Sequence, residues 1–212
     1  MTLRHIVPFA GVATILFATS AMAQSPASKF EITPFVGYRI GGDFNEQDGD
    51  GRVELNESST EGITFNIKAN ENGQYELLYV RQRTDANILG FLPNDSLIDI
   101  EAEHLQFGGT YLFDGENTRP FIALTLGLSH FDPEFPGASS ESFFSASLGG
   151  GVQLNASKRL CIRLEARAFA TFVDDDSRIF CSSIDGSGSC LIVIDGNLLT
   201  QWEARAGLVF RF

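Results

Sequence analysis

The chain has 212 residues, with 27 Asp and Glu against 15 Lys and Arg, for a formal charge of −12. That balance excludes a nucleic-acid binder, because phosphate contacts need clustered Lys and Arg. Hydrophobic residues make up 43% of the chain. Even so, no stretch after the first 23 positions approaches the roughly 20 apolar residues that a spanning helix needs.

Residues 1–23 have a short basic start (Arg4, His5), an apolar run over 6–18, and Ala21-Met22-Ala23 before Gln24. This is the composition of a secretory signal peptide with a small-residue cleavage site. The reading is a cleaved leader over 1–23 and a single exported domain over 24–212.

Eight segments then alternate between apolar and polar residues with period 2, the spacing of strands with two unlike faces. The first, about 30–41, sets Phe30, Ile32, Val36, Tyr38 and Ile40 against Glu31, Thr33, Gly37 and Arg39. The second, about 62–69, sets Ile63, Phe65 and Ile67 against Thr64, Asn66 and Lys68, and Asn70-Glu71-Asn72-Gly73 follows as a tight turn. The third, about 74–82, opposes Tyr75, Leu77 and Tyr79 to Glu76, Leu78 and Val80. In the fourth, about 103–113, Leu105, Phe107, Tyr111 and Phe113 oppose His104, Gln106, Gly108 and Thr110.

A short turn at 114–118 leads to the fifth strand, about 120–131, with Ile122, Leu124, Leu126 and Leu128 on one face. The sixth, about 143–154, places Phe144, Ala146, Leu148 and Val152 opposite small Ser145, Ser147, Gly149 and Gly151. After the turn 155–158, the seventh, about 160–172, sets Ile162, Leu164, Ala166 and Ala168 against Cys161, Arg163, Glu165 and Arg167. The eighth, about 198–212, carries Ala204, Ala206, Leu208, Phe210 and Phe212 on one parity and Glu203, Arg205, Gly207, Val209 and Arg211 on the other.

Turns after even strands are short, whereas connections after odd strands are long (roughly 42–61, 83–102, 132–142 and 173–197). Short periplasmic turns and long extracellular loops are the habit of transmembrane barrels. The polar rows mix charges with Gly and Ser, as a crowded lumen of eight strands requires. Phe30, Tyr75, Tyr111, Phe113, Phe210 and Phe212 fall near the turn ends; Tyr38, Phe131, Phe172 and Trp202 fall near the loop ends. Two aromatic girdles about 25 Å apart suit a bilayer. The expected fold is all-β: an eight-stranded antiparallel up-and-down transmembrane β-barrel.

FEITPFVGYRIGG, GQYELLYVRQ, EHLQFGGTYLF, RPFIALTLG, FSASLGGGVQL and WEARAGLVFRF together resemble the eight-stranded outer-membrane β-barrel superfamily of Gram-negative bacteria, the class of OmpA, OmpX and OmpW. The resemblance covers 24–212. It implies outer-membrane localisation, contact with outer-membrane lipids and lipopolysaccharide, passage through the barrel-assembly machinery, and a monomer without cofactor. Leu208, Phe210 and the terminal aromatic Phe212 resemble that family's assembly signal. No segment follows Phe212, so the peptidoglycan-binding domain of OmpA is not expected. Fold does not fix activity in this superfamily, which includes anchors, adhesins, narrow pores and enzymes.

Candidate sites follow from the rows. Arg39 is expected near Glu203, and Glu165 near Arg205 or Arg167, with Arg163 in the same row; Lys68 and Glu76 flank the first turn at similar height. Such charges need partners in a confined interior, and the network reads either as a static polar plug or as a salt-bridge gate. Cys181 and Cys190 flank turn residues in the last long loop, and an exported chain favours their disulfide. Cys161 is left over, facing the lumen.

In the first long loop, Glu46, Asp48, Asp50 and Glu57 stand at calcium-loop spacings, although a solvated acidic loop reads the same way. Arg81 and Arg83 are candidate contacts for lipopolysaccharide phosphates, or ordinary charges at a loop base. His104 and His130 sit in no catalytic motif. The leading expectation is a non-enzymatic barrel with a structural or surface-interaction role through acidic loops. The alternative is a narrow channel for small or amphipathic solutes, and a lipid-modifying or proteolytic enzyme ranks third.

Overall fold

The computed structural model describes residues 29–45, 52–89, 96–133, 140–157, 159–173, 181–184, 187–190 and 198–212; the leader reading over 1–23 lies outside them. In chain order the strands are β1 (Phe30–Ile40), β2 (Asp43–Asn45), β3 (Arg52–Leu55), β4 (Ser58–Lys68), β5 (Gly73–Leu89) and β6 (Ser96–Leu112). They continue with β7 (Thr118–Pro133), β8 (Glu141–Asn155), β9 (Leu160–Phe172), β10 (Cys181–Ile184), β11 (Ser187–Cys190) and β12 (Leu198–Arg211).

Eight strands form a closed ring. β1 pairs with β4 and β12, β5 pairs with both β4 and β6, and β6 to β9 pair in succession until β9 meets β12, every pair antiparallel. Closure removes the free edges that an open sheet would expose. The seam joins the start of β1 to the end of β12: Lys29 N donates to Phe212 O at 2.9 Å and Phe212 N to Phe30 O at 2.9 Å.

The wall reaches further than the alternation alone predicts. The connection expected over 83–102 narrows, because β5 and β6 stay in register from Gln82↔Ala102 up to Ile88↔Ser96. The first loop also contributes to the wall: β3 pairs with β5 (Leu55↔Ala86) and β2 pairs with β3 (Phe44↔Val53). Gly41 and Gly42, at φ +83° and +116°, make the bend between β1 and β2. L-residues with side chains rarely adopt that conformation. These extensions escape a period-2 reading because the polarity of the two faces reverses along the strands. In the lower wall the outward positions are apolar, among them Val36, Leu105, Ile122, Leu124 and Leu148. Above it, Arg83, Asp85, Asp99 and Asp132 point outward, while Leu55, Ile100, Ala102, Phe131, Phe143, Val173 and Leu199 are buried inside.

That reversal corrects one assignment. Phe131 is not part of the loop-end girdle: it shares inward parity with Phe121, Ala123 and Thr125 and is 3% exposed. The other aromatics assigned to the girdles do face outward, Phe30, Tyr75, Tyr111, Phe113, Phe210 and Phe212 at the turn end and Tyr38, Phe172 and Trp202 at the loop end, where exposed Phe144 joins them. An uninterrupted belt of exposed Leu, Ile, Val and aromatics is far larger than the patches soluble monomers tolerate. It is the outer face of a membrane-spanning barrel.

Candidate functional site

Inside the belt, the strands' inward positions meet across a narrow lumen and fill it. Toward the turn end lies an apolar layer in which Leu112, Phe121, Ala123, Cys161 and Val209 are all buried. Cys161 Sγ donates to Asn155 Oδ1 at 3.2 Å. At the mouth beneath it, Arg211 donates to Glu31 at 2.8 Å, Gln153 at 2.9 Å and Asn155 at 3.1 Å.

The central lumen is ionic. Glu76 on β5 reaches across to β9, accepting from Arg167 at 2.6 Å and Arg163 at 3.1 Å. Thr110 also donates to Glu76, and Asn66 does so at 3.3 Å. Glu165 accepts from Arg163 at 2.9 Å, Arg167 at 2.7 Å and Arg205 at 2.8 Å. Arg167 further donates to Thr125 and Ser147, both at 3.0 Å, and both hydroxyls are bonded to Gln106. The guanidinium groups of Arg163 and Arg205 also lie over the Phe121 and Phe35 rings, at 4.0 and 4.4 Å.

A second cluster sits nearer the loop end. Arg39 donates to Glu203 at 2.7 Å and to Gln82 at 3.3 Å, and its carbon lies 4.1 Å over the Phe169 ring. Its Nη1 is 2.5 Å from His104 Nε2, and His104 Nδ1 is 2.6 Å from Ser129 Oγ. Since the guanidinium can only donate, Nε2 is the acceptor and the imidazole is neutral with its proton on Nδ1. The clusters join where Arg205 Nη1 comes within 3.8 Å of Glu203. Above, Leu55, Ile100, Ala102, Phe131, Phe143, Val173 and Leu199 are buried toward the loop side.

Two features of this network were not legible in the sequence. The contacts of Glu76 with Arg163 and Arg167 run through the lumen rather than between neighbouring strands, so register cannot reveal them. His104, Gln82, Ser129, Thr171, Gln106, Thr125 and Ser147 also belong to it; their inward parity among polar rows was the available signal. One predicted member is misplaced: Lys68 has inward parity but lies beyond the last lumen position of its strand, Asn66, and is exposed at the rim.

Beside the charged row of β9, Gly149 and Gly151 of the neighbouring strand β8 are its register partners. A Cβ at Gly149 would stand 2.4 Å from Glu165 Oε1 and 2.9 Å from Arg167 Nε. At Gly151 it would stand 1.9 Å from the carbonyl oxygen of Leu164, a backbone contact that cannot yield.

The second candidate region is the extracellular-type rim. Arg81 and Arg83 both turn to Glu101, at 2.5 and 3.4 Å. Tyr79 donates to Glu103 at 2.5 Å and Tyr38 to Glu57 at 3.2 Å. Asp85 and Asp99 face each other as register partners on the extension. Their hydrogen bond, then partial burial and the Asp99 charge, raise the Asp85 carboxyl above its ordinary value. Of the calcium candidates, Glu46, Asp48 and Asp50 lie outside the described residues, and Glu57 is engaged by Tyr38. The Cys181 and Cys190 side chains also lie outside them, although their backbones are described. His130 sits on the outer face, with Nδ1 2.9 Å from Ser142 Oγ. Leu208, Phe210 and Phe212 are exposed on the outer face of β12.

No family model matches this chain, and no curated protein does. Solved structures do. Neisserial surface protein A is 12% identical, over 89% of this chain and 100% of that one, with a TM-score of 0.60. The outer membrane protein OprG from Pseudomonas aeruginosa is 13% identical, over 88% and 96%, with a TM-score of 0.59. Outer membrane protein AlkL, solved in lipid bilayers, is 10% identical, over 93% and 97%, with a TM-score of 0.53. The chain has the fold of the eight-stranded outer-membrane β-barrels.

Proposed function

We propose that this protein is a non-enzymatic outer-membrane barrel that works at its extracellular rim, with the spanning part as a closed scaffold. The observation that carries this reading is the filled lumen: Arg39, Glu76, Arg167 and His104 are at most 1% exposed, between apolar layers on both sides. Charged side chains buried this deeply and paired across the lumen support a closed scaffold.

Charge directs attention to the rim. In sequence, 41–61, 81–103, 130–142 and 173–200 hold twenty Asp and Glu against four Arg. A surface so one-sided attracts cations and cationic partners and raises their encounter rate. In the outer leaflet it meets lipopolysaccharide phosphates through shared divalent cations, with Arg81 and Arg83 already engaged by Glu101. The exposed Leu208, Phe210 and Phe212 are the surface offered to the assembly machinery during insertion.

Catalysis finds little support. His104 is sealed in the lumen, and Glu103, the cross-strand neighbour of His130, is taken up by the Tyr79 hydroxyl. A second reading, a salt-bridge-gated conduit for small solutes, draws on the linked ion pairs that run along the lumen from Arg39 and Glu203 through Arg205 and Glu165 to Glu76. Single-channel recording in planar bilayers separates the two. A closed scaffold gives no discrete openings in wild type, Arg39→Ala or Glu203→Ala; wild-type openings that widen in either variant establish the conduit.

A further inference from the structure

One feature is explained neither by the packed lumen nor by the acidic rim. Strands β10 and β11 form a two-stranded sheet of their own, separate from the barrel ladder. Isolated two-stranded hairpins are marginal in water. This one is poor in apolar residues: its eight positions are Cys181, Ser182, Ser183 and Ile184 paired with Ser187, Gly188, Ser189 and Cys190. Its composition offers few apolar groups to stabilise it.

The register supplies what packing does not. Cys181 is the direct partner of Cys190, at the open end of the hairpin, and Ile184 is the partner of Ser187 at the closed end. Directly opposed antiparallel residues have Cα atoms about 4.5 or 5.5 Å apart, and both values fall within the span of about 4.4–6.8 Å that a disulfide bridges. The connecting dipeptide is Asp185-Gly186, a favoured composition for a two-residue hairpin turn. The third cysteine is no competitor, since Cys161 is fully buried in the lumen near the turn end of β9, the end opposite the one that leads to β10.

We propose that Cys181 and Cys190 form a disulfide that clamps this hairpin as a rigid element within the last loop. In forming it, the two thiols lose two protons and two electrons and one S–S bond is made. The acceptor is the disulfide of a thiol–disulfide oxidase met after export, which is reduced to its dithiol through a mixed disulfide. A clamped hairpin keeps one shape on a surface otherwise dominated by acidic loops. The bond is independent of whether the lumen conducts.

Thiol counting on the exported wild-type chain tests the proposal. Folded protein extracted from membranes is denatured and treated with a maleimide-polyethylene glycol reagent, with and without prior reduction. The expected result is one adduct without reductant, at Cys161, and three after it, with peptide mapping linking 181 to 190. Cys190→Ser should then show two adducts under both conditions. Three adducts before reduction, a bond that includes Cys161, or a reducible chain-to-chain dimer would each overturn the proposal.

Discussion

Glu76→Ala is the sharpest perturbation of the lumen. Its carboxylate is the partner of two buried arginines, at 2.6 and 3.1 Å, and accepts from Thr110 and Asn66 as well. Removing it leaves Arg163 and Arg167 to share Glu165, which already serves Arg205. Breaking a buried pair by deleting one partner costs about 3–5 kcal/mol, since the remaining charge stays desolvated. At about 1.4 kcal/mol per tenfold, that lowers the folded-to-unfolded ratio between about a hundredfold and several thousandfold. Urea unfolding in lipid vesicles measures it, with the lone Trp202, exposed on the outer face, as the fluorescent probe. Lys68→Ala is the control, and an exposed rim charge should change stability by less than about 1 kcal/mol. A loss as small in Glu76→Ala as in the control would refute the argument that Glu76 compensates the buried charges of Arg163 and Arg167.

Four further outcomes follow from the same structure. Arg205→Met should cost less than about 1 kcal/mol in that assay, far below Arg167→Met, because it removes the surplus cation from a network of four Arg and three Glu while keeping a side chain over Phe35. Gly151→Ala, with its Cβ against the Leu164 carbonyl, should abolish the heat-modifiable folded band on gels, whereas Lys68→Ala should leave it intact. Asp85 titrates above its ordinary value because of Asp99, so the extension gains stability as pH falls and loses it as pH rises through that raised value. Asp85→Asn should therefore flatten the pH dependence of intrinsic-rate-corrected hydrogen-exchange protection in β5 and β6 above Gln82. Ser142 should not react with a fluorophosphonate probe, and labelling that disappears in His130→Ala would reverse the non-enzymatic reading.

Much of the barrel was legible because a membrane makes period 2 unambiguous. Strand β7 alternates Ile122, Leu124, Leu126 and Leu128 with Ala123, Thr125 and Gly127 without a break, and strand β12 does the same from Ala204 to Phe212. Legibility fails at the loop end, where the environment changes and the chain does not. Arg83, Asp85, Asp99 and Glu101 look like loop residues to a reader who expects apolar outward faces, yet they continue the ladder with their polarity reversed. Phe131 was misread for the same reason. At the opposite end, Lys68 keeps the lumen's parity but has run out of lumen. Parity names a face, and only the height of a residue in the wall says whether that face looks onto lipid, water or the packed interior.

Height also decides how the two charge populations relate. The lumen groups neutralise one another locally to within one positive charge, four arginines (Arg39, Arg163, Arg167 and Arg205) against Glu76, Glu165 and Glu203 in the linked clusters. In sequence, 41–61, 81–103, 130–142 and 173–200 hold twenty Asp and Glu against four Arg. Between them stands the apolar layer of Leu55, Ile100, Phe131, Phe143, Val173 and Leu199, all buried. The lumen's single surplus charge is far too small to offset the rim, and across water at about 0.1 M salt fields fade over about 10 Å. On the function proposed above, the counter-charge for these acids comes from outside the barrel, from divalent cations, lipid-bound ions or a cationic partner. Chelation is the direct lever on that dependence: removing divalent cations should weaken whatever the rim engages through them and leave urea stability of the lumen network unchanged.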